Sequence, residues 1–224
     1  MKTNTALLIF ARTASEESKH KSFRASEAFF QYQNKQILRL ADSSGQDFYW
    51  IDEHAQIGVN FEQRYLNAIQ SIFNKGYKQV ISVGNDSPEL NLNHLLKAIE
   101  SLQHNDMCFG PSKDGGFYLW GLKREHFEKK RYLDFAWKTK DLLSEILADL
   151  KQQNVTVSCI QTLTDLDRRE DAFLLLNQTK ITSQLKSILF QILHQDIELY
   201  LYYPPKLKPR FTDVYFNKGS PLAA

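Results

Sequence analysis

The chain has two cysteines in 224 residues, Cys108 and Cys159. Neither stands in CxxC spacing or beside a histidine, which leaves no basis for a disulfide framework or a thiolate metal knuckle. Both fall in apolar stretches and are expected as core thiols, which suits a reducing compartment. There is no excess of one charge either. Twenty-eight Lys and Arg face 26 Asp and Glu, a formal +2, so no global field points to nucleic acid or an anionic membrane. No segment approaches the ~20 apolar residues of a membrane span. The apolar run that Arg12 ends is about six residues long, below the length of a signal-peptide core. A cytoplasmic protein with no membrane span is expected. The six histidines, at 20, 54, 94, 104, 126 and 194, lack metal-ligand spacing, and no serine elbow or cysteine-nucleophile pattern occurs. Internal repeats and low-complexity tracts are also missing.

What is present is an ordinary composition, 42% hydrophobic and 24% charged, of a soluble domain that buries roughly 70% of its unfolded surface. Ala6 to Phe10 (ALLIF) is a continuous apolar run, expected as a first, central strand buried on both faces. Residues 12–22 are polar and are expected as a loop. Ala25, Ala28, Phe29, Tyr32, Ile37, Leu38 and Leu40 then form a helical stripe. Phe48 to Ile51 is a second strand, and Phe61, Tyr65, Ala68, Ile69, Ile72 and Phe73 recur with helical spacing. Val80 to Val83 and Met107 to Phe109 are strands that flank a helix over 92–102. Phe117 to Leu122 is a strand, Asp141 to Leu150 a helix, Val155 to Ile160 the last strand and Glu170 to Leu176 a helix. This alternation predicts an α/β fold with a mostly parallel central sheet and helices on both faces. Residues 1–179 are taken as that domain. Residues 180–224, one amphipathic helix followed by YLYYPPKLKPRF, are a helical and irregular C-terminal extension that packs on the core or on a second subunit, the latter giving a homodimer.

Two stretches carry most of the chemistry: GNDSPEL at 84–90 and GPSKDGGFYLWGL at 110–122. Each places an acidic residue among glycines where a buried strand should end, and open α/β sheets bind ligands there. Asp86 can hold a divalent cation that neutralises a leaving diphosphate, and Gly84 lets backbone approach a ligand. The competing role is structural, with Asp86 or Ser87 capping a helix that has Pro88 at its first position. Asp114, just before Gly115 and Gly116, is placed to bind a sugar hydroxyl or to act as base on an acceptor hydroxyl; a hairpin would use the same glycines. TDLD at 164–167 is a third acidic turn. There Asp165 and Asp167 offer further metal ligands, although Asp167 with Glu170 also reads as a capping box.

Together with GVNFEQRY at 58–65, Trp137, Thr139 and TDLDRREDA at 164–172, these stretches resemble a family of predicted glycosyltransferases. Its fold is the Rossmann-like GT-A, nucleotide-diphospho-sugar-transferase-like fold, and it was long catalogued as a domain of unknown function. The chain is also similar to the guanylyltransferases that load nucleotides onto molybdopterin and phospholactate. The resemblance spans about residues 5–175. It implies Asp86, Asp165 and Asp167 as ligands of Mg²⁺ or Mn²⁺, Asp114 as the catalytic partner of Asp86, and a nucleotide or nucleotide-sugar donor with an acceptor still to be found. Arg64 and Trp137 are expected on the donor and acceptor walls. After the first strand the family carries a Pro, a Gly and a Lys-Thr-Arg-Leu run as its phosphate grip. FARTASEESKHKSF at 10–23 lacks these, leaving Arg12, Lys19, His20 and Lys21 as cations, with Glu16 and Glu17 adding charge that repels phosphate. A metal-dependent glycosyl or nucleotidyl transferase is therefore expected. The alternative is a non-catalytic binding or assembly module on a degenerate GT-A fold.

Overall fold

The computed structural model describes residues 4–177 and 181–202, with 194–202 as backbone only. The chain falls into two compact units, Met1–Leu193 and His194–Ala224; of the second, only helical backbone to Tyr202 is described. The proline-rich tail, and the subunit contact expected of it, lie outside the described residues.

The elements of the first unit alternate as β1 (Thr5–Phe10), α1 (Ala14–His20), α2 (Ser26–Ser43), β2 (Asp47–Ile51), α3 (Phe61–Asn74), β3 (Gln79–Val83), α4 (Leu92–His104), β4 (Met107–Pro111) and β5 (Phe117–Lys123). After a 3-10 turn at Arg124–His126 come α5 (Lys129–Leu133), α6 (Leu142–Gln152), β6 (Val157–Cys159), α7 (Asp171–Leu176) and α8 (Ser183–Tyr202). The six strands form one sheet in the order β2-β1-β3-β5-β4-β6. Only β5 runs against its neighbours, β3 and β4.

Period-two alternation sends β1 residues to opposite faces. Ala6 and Leu8 join α3 and α6 in one core layer, while Leu7 and Ile9 join α2 and α4 in the other. A third cluster packs Leu185, Leu189 and Ile192 of α8 on Phe29, Phe30 and Leu175. Among the described residues no helix is long and apolar enough to cross a membrane.

Several expectations need correction. Residues 12–22 are not all loop, because α1 forms within them. Thr13 caps it by accepting from the Glu16 N–H, Glu16 and Glu17 occupy its first turn, and Lys19 and His20 occupy its last, an order that complements the helix dipole. Cys159 is exposed rather than core, because β6 is a three-residue edge strand; Cys108, on a strand paired on both sides, is buried. Neither Asp86 nor Ser87 caps a helix, since α4 starts at Leu92 with Asn91 as its N-cap in a box closed by His94. The Asp167–Glu170 capping box does not form either. The Asp171 carboxylate instead accepts from the Asp167 and Arg168 N–H groups at 3.0 and 2.8 Å. Replacing Asn91 by alanine should therefore cost about 1 kcal/mol in urea unfolding, whereas a helix starting at Pro88 would leave that substitution silent.

Candidate functional site

Backbone hydrogen bonds tie the three acidic turns together at the carboxyl edge of the parallel strands. The Leu166 N–H donates to the Asp86 carbonyl at 2.8 Å, and Lys113 N–H to the Leu163 carbonyl at 3.1 Å. Between these ties lies a cavity of about 740 Å³. Of the residues singled out in the sequence, Gly84, Asp86, Asp114, Gly116, Asp165, Asp167, Arg12, Lys21, Arg64 and Trp137 line it. Lys19 and Gly115 do not. Lys19 is an exposed partner of Glu16 at 2.7 Å, an ordinary i,i+3 helix pair. Gly115 lies behind the wall, its carbonyl accepting from the Leu143 N–H at 3.1 Å.

One side of the cavity is aromatic. Phe10, Phe61, Tyr65, Phe117 and Trp137 contact one another edge to face or tilted, apart from the stacked Phe61–Tyr65 pair, at centroid distances of 5.2 to 6.3 Å. The Trp137 indole N–H donates to the Tyr132 carbonyl at 2.7 Å and so holds the ring in place. The other side is charged. Six Lys and Arg (Arg12, Lys21, Arg64, Lys138, Lys140, Arg168) and five acidic residues (Glu17, Asp86, Asp114, Asp165, Asp167) line the same space. The glutamates expected to repel phosphate are matched locally. Glu17 is buried and takes the Arg12 guanidinium at 3.2 Å, and Glu16 takes Lys19 and His20. Among the described residues Arg64, Lys138, Lys140 and Arg168 form no ion pair. Lys138, Lys140 and Arg168 were missed in the sequence, although alternating lysines around Thr139 and the Arg pair after TDLD were the available signals.

Asp114 is held by its own turn, where its Oδ1 accepts from Ser112 Oγ and, at 3.0 Å, from the Gly116 N–H. Asp165 accepts from Ser87 Oγ. Burial and then the charge of Asp86, opposed by the Ser87 bond and reinforced by Asp114 and Asp167, push its carboxyl up to about 8. Lys21 lies between the other two aspartates. Its Nζ is 3.0 Å from Asp86 Oδ2 and 2.6 Å from Asp167 Oδ1. Burial disfavours that charge, but Asp86 and then Asp167 outweigh it and hold the ammonium above its ordinary range.

A divalent ion does not fit these aspartates while Lys21 is in place. The oxygens it would need on Asp86 and Asp167 already hold an ammonium. Among the described residues the only trio of His, Cys, Asp or Glu whose ligand atoms come within 4.8 Å of one another is Asp106, Glu125 and His126. That trio lies at the opposite edge of the sheet, and there Asp106 is already paired with Lys123 and His126.

The fold is of the nucleotide-diphospho-sugar-transferase-like class. A crystal structure from Desulfovibrio desulfuricans G20, provisionally described as a nucleotide-diphospho-sugar transferase, matches with a TM-score of 0.76 at 22% identity, covering 91% of this chain and 99% of that one. The 4-diphosphocytidyl-2C-methyl-D-erythritol synthase of Anaerococcus prevotii matches at TM-score 0.50 and 11% identity, over 76% of this chain and 98% of its own. A hypothetical transferase of Thermus thermophilus does so at 0.50 and 13%, over 76% and 99%. No curated protein matches. Residues 25–139, just over half of the chain, match the family described as uncharacterized proteins conserved in bacteria (DUF2064), and the chain belongs to that family.

Proposed function

We propose that this protein is a transferase acting on a nucleotide-activated donor, held in the cavity at the carboxyl edge of the sheet. The observation that carries this reading is the convergence of three acidic turns, four cations outside any described ion pair and an aromatic wall on one space. Each element has a chemical use. The aromatic side offers π-faces for a nucleobase or sugar. Arg64, Lys138, Lys140 and Arg168 supply charge-assisted hydrogen bonds to phosphate oxygens, and an arginine can do so with two parallel donors. Asp114 Oδ2, without a partner among the described residues, is free to accept the proton of an acceptor hydroxyl while Oδ1 stays fixed to its turn. Catalysis on this plan is positioning plus electrostatic stabilisation of a leaving phosphate group, and the same residues serve glycosyl or nucleotidyl transfer. The expected Mg²⁺ or Mn²⁺ supplies no step here, because Lys21 holds the ligand positions.

Thermal unfolding with a panel of nucleotides and nucleotide sugars tests the reading. A true donor at about 100 times its dissociation constant adds ~2.7 kcal/mol, a rise of roughly 5 to 11 °C for a chain this size. That rise should shrink at least by half in Arg64→Ala. No shift with any member of the panel would favour the non-catalytic module.

A further inference from the structure

We propose that Lys21 is the resident cation of the donor site, its ammonium standing where this fold class is expected to carry a divalent ion, so that an anionic donor binds without added metal. The inference rests on the reading above, but it concerns what neutralises the donor rather than which donor is used.

Three observations converge on Lys21. The first is placement. Lys21 is the C-cap residue of α1, its N–H donating to the Glu17 carbonyl at 2.9 Å, and its Nζ stands 5.5 Å from the centre of the Phe30 ring. The helix and the ring thus place the ammonium in the cleft, and its side chain is only 17% exposed. The second is valence. An ammonium has three N–H donors. Two are directed at Asp86 and Asp167, which leaves one for an oxygen of the donor. The third is charge. Six Lys and Arg line the cavity against five acidic residues, so the space presents no net negative charge to a diphosphate.

The test uses Mn²⁺ alone and then Mn²⁺ with the nucleotide-sugar panel, on the full chain. Electron paramagnetic resonance counts free Mn²⁺, and thermal unfolding reports donor binding. In the wild type, Mn²⁺ should bind weakly, and any donor-induced shift should be the same in Mn²⁺ as in excess EDTA. Removing the ammonium in Lys21→Ala should tighten Mn²⁺ binding at least about tenfold, since a like charge in contact with the ion is gone. That gain should vanish in the Lys21→Ala, Asp86→Asn double variant, and Lys21→Arg should behave as the wild type. Equal Mn²⁺ affinity in wild type and Lys21→Ala would overturn the proposal, as would a wild-type donor shift that requires Mn²⁺. If Lys21→Ala fails to fold, the wild-type comparison with and without EDTA still decides. If no nucleotide shifts the wild type, the donor reading falls while the Mn²⁺ comparison continues to report on Lys21.

Discussion

Gly115→Ala is expected to lower the melting temperature by roughly 8 to 16 °C. Gly115 has φ +94°, a conformation that L side chains rarely adopt, and a Cβ there would lie 1.9 Å from the Lys140 carbonyl oxygen. The backbone strain costs on the order of 1–3 kcal/mol. The overlap costs about as much again, since the atom in the way is backbone and cannot swing aside. Together they amount to roughly 4 kcal/mol. The damage reaches the cavity as well. Relieving the clash means moving residues 137–140, which carry Trp137, Lys138 and Lys140, so donor-induced stabilisation should fall along with the melting point. A variant that melts within 2 °C of the wild type would show that the DGG turn does not pack against this wall.

The second large effect is a pH dependence located at Asp165. Its folded carboxyl is pushed up to about 8, against 3.8 in an unfolded chain, by burial first and by Asp86 next. Below pH 4 both states hold the proton and nothing is lost. As pH rises from 4 to 8 the unfolded chain releases that proton and the folded one retains it, so the contribution to stability declines through this window. Asp165→Asn keeps the shape and can still accept from Ser87, but it has nothing to ionise. Relative to wild type it should gain stability on the order of 3 kcal/mol between pH 4.5 and pH 8 in urea unfolding. A difference that stays constant across that range would place the Asp165 carboxyl in an ordinary ionised state.

Much of the fold was legible in the sequence, because buried strands and amphipathic helices carry distinct periods. ALLIF and VISV announced β1 and β3, and the spacing from Phe61 to Phe73 announced α3. The direction of β5 was harder to read, since apolar content marks a strand without saying which way it runs. The usable clue was length. Five residues separate β4 from β5, too few for the dozen or more that a parallel crossover needs. Helix α1 was passed over because it is seven residues long and almost wholly polar, and its stability comes from its cap, its charge order and the Glu53 carboxylate that accepts from Thr13. Within the site, Asp86, Asp114, Asp165 and Asp167 could each be found from a strand end. The partnership of Lys21 with Asp86 could not, since it joins residues 65 positions apart through packing that no local pattern encodes.

The reversed strand gives the cleft one stiff jaw and one compliant jaw. Asp114 rides on a tight hairpin whose two arms are laced into the sheet, so it can shift only if paired strands shift with it. Across from it, Lys21 sits at the tip of a short helix and reaches its partners through a four-carbon tether. Adjustment to incoming molecules of different girth therefore falls to the lysine side, while the aspartate side keeps a constant register.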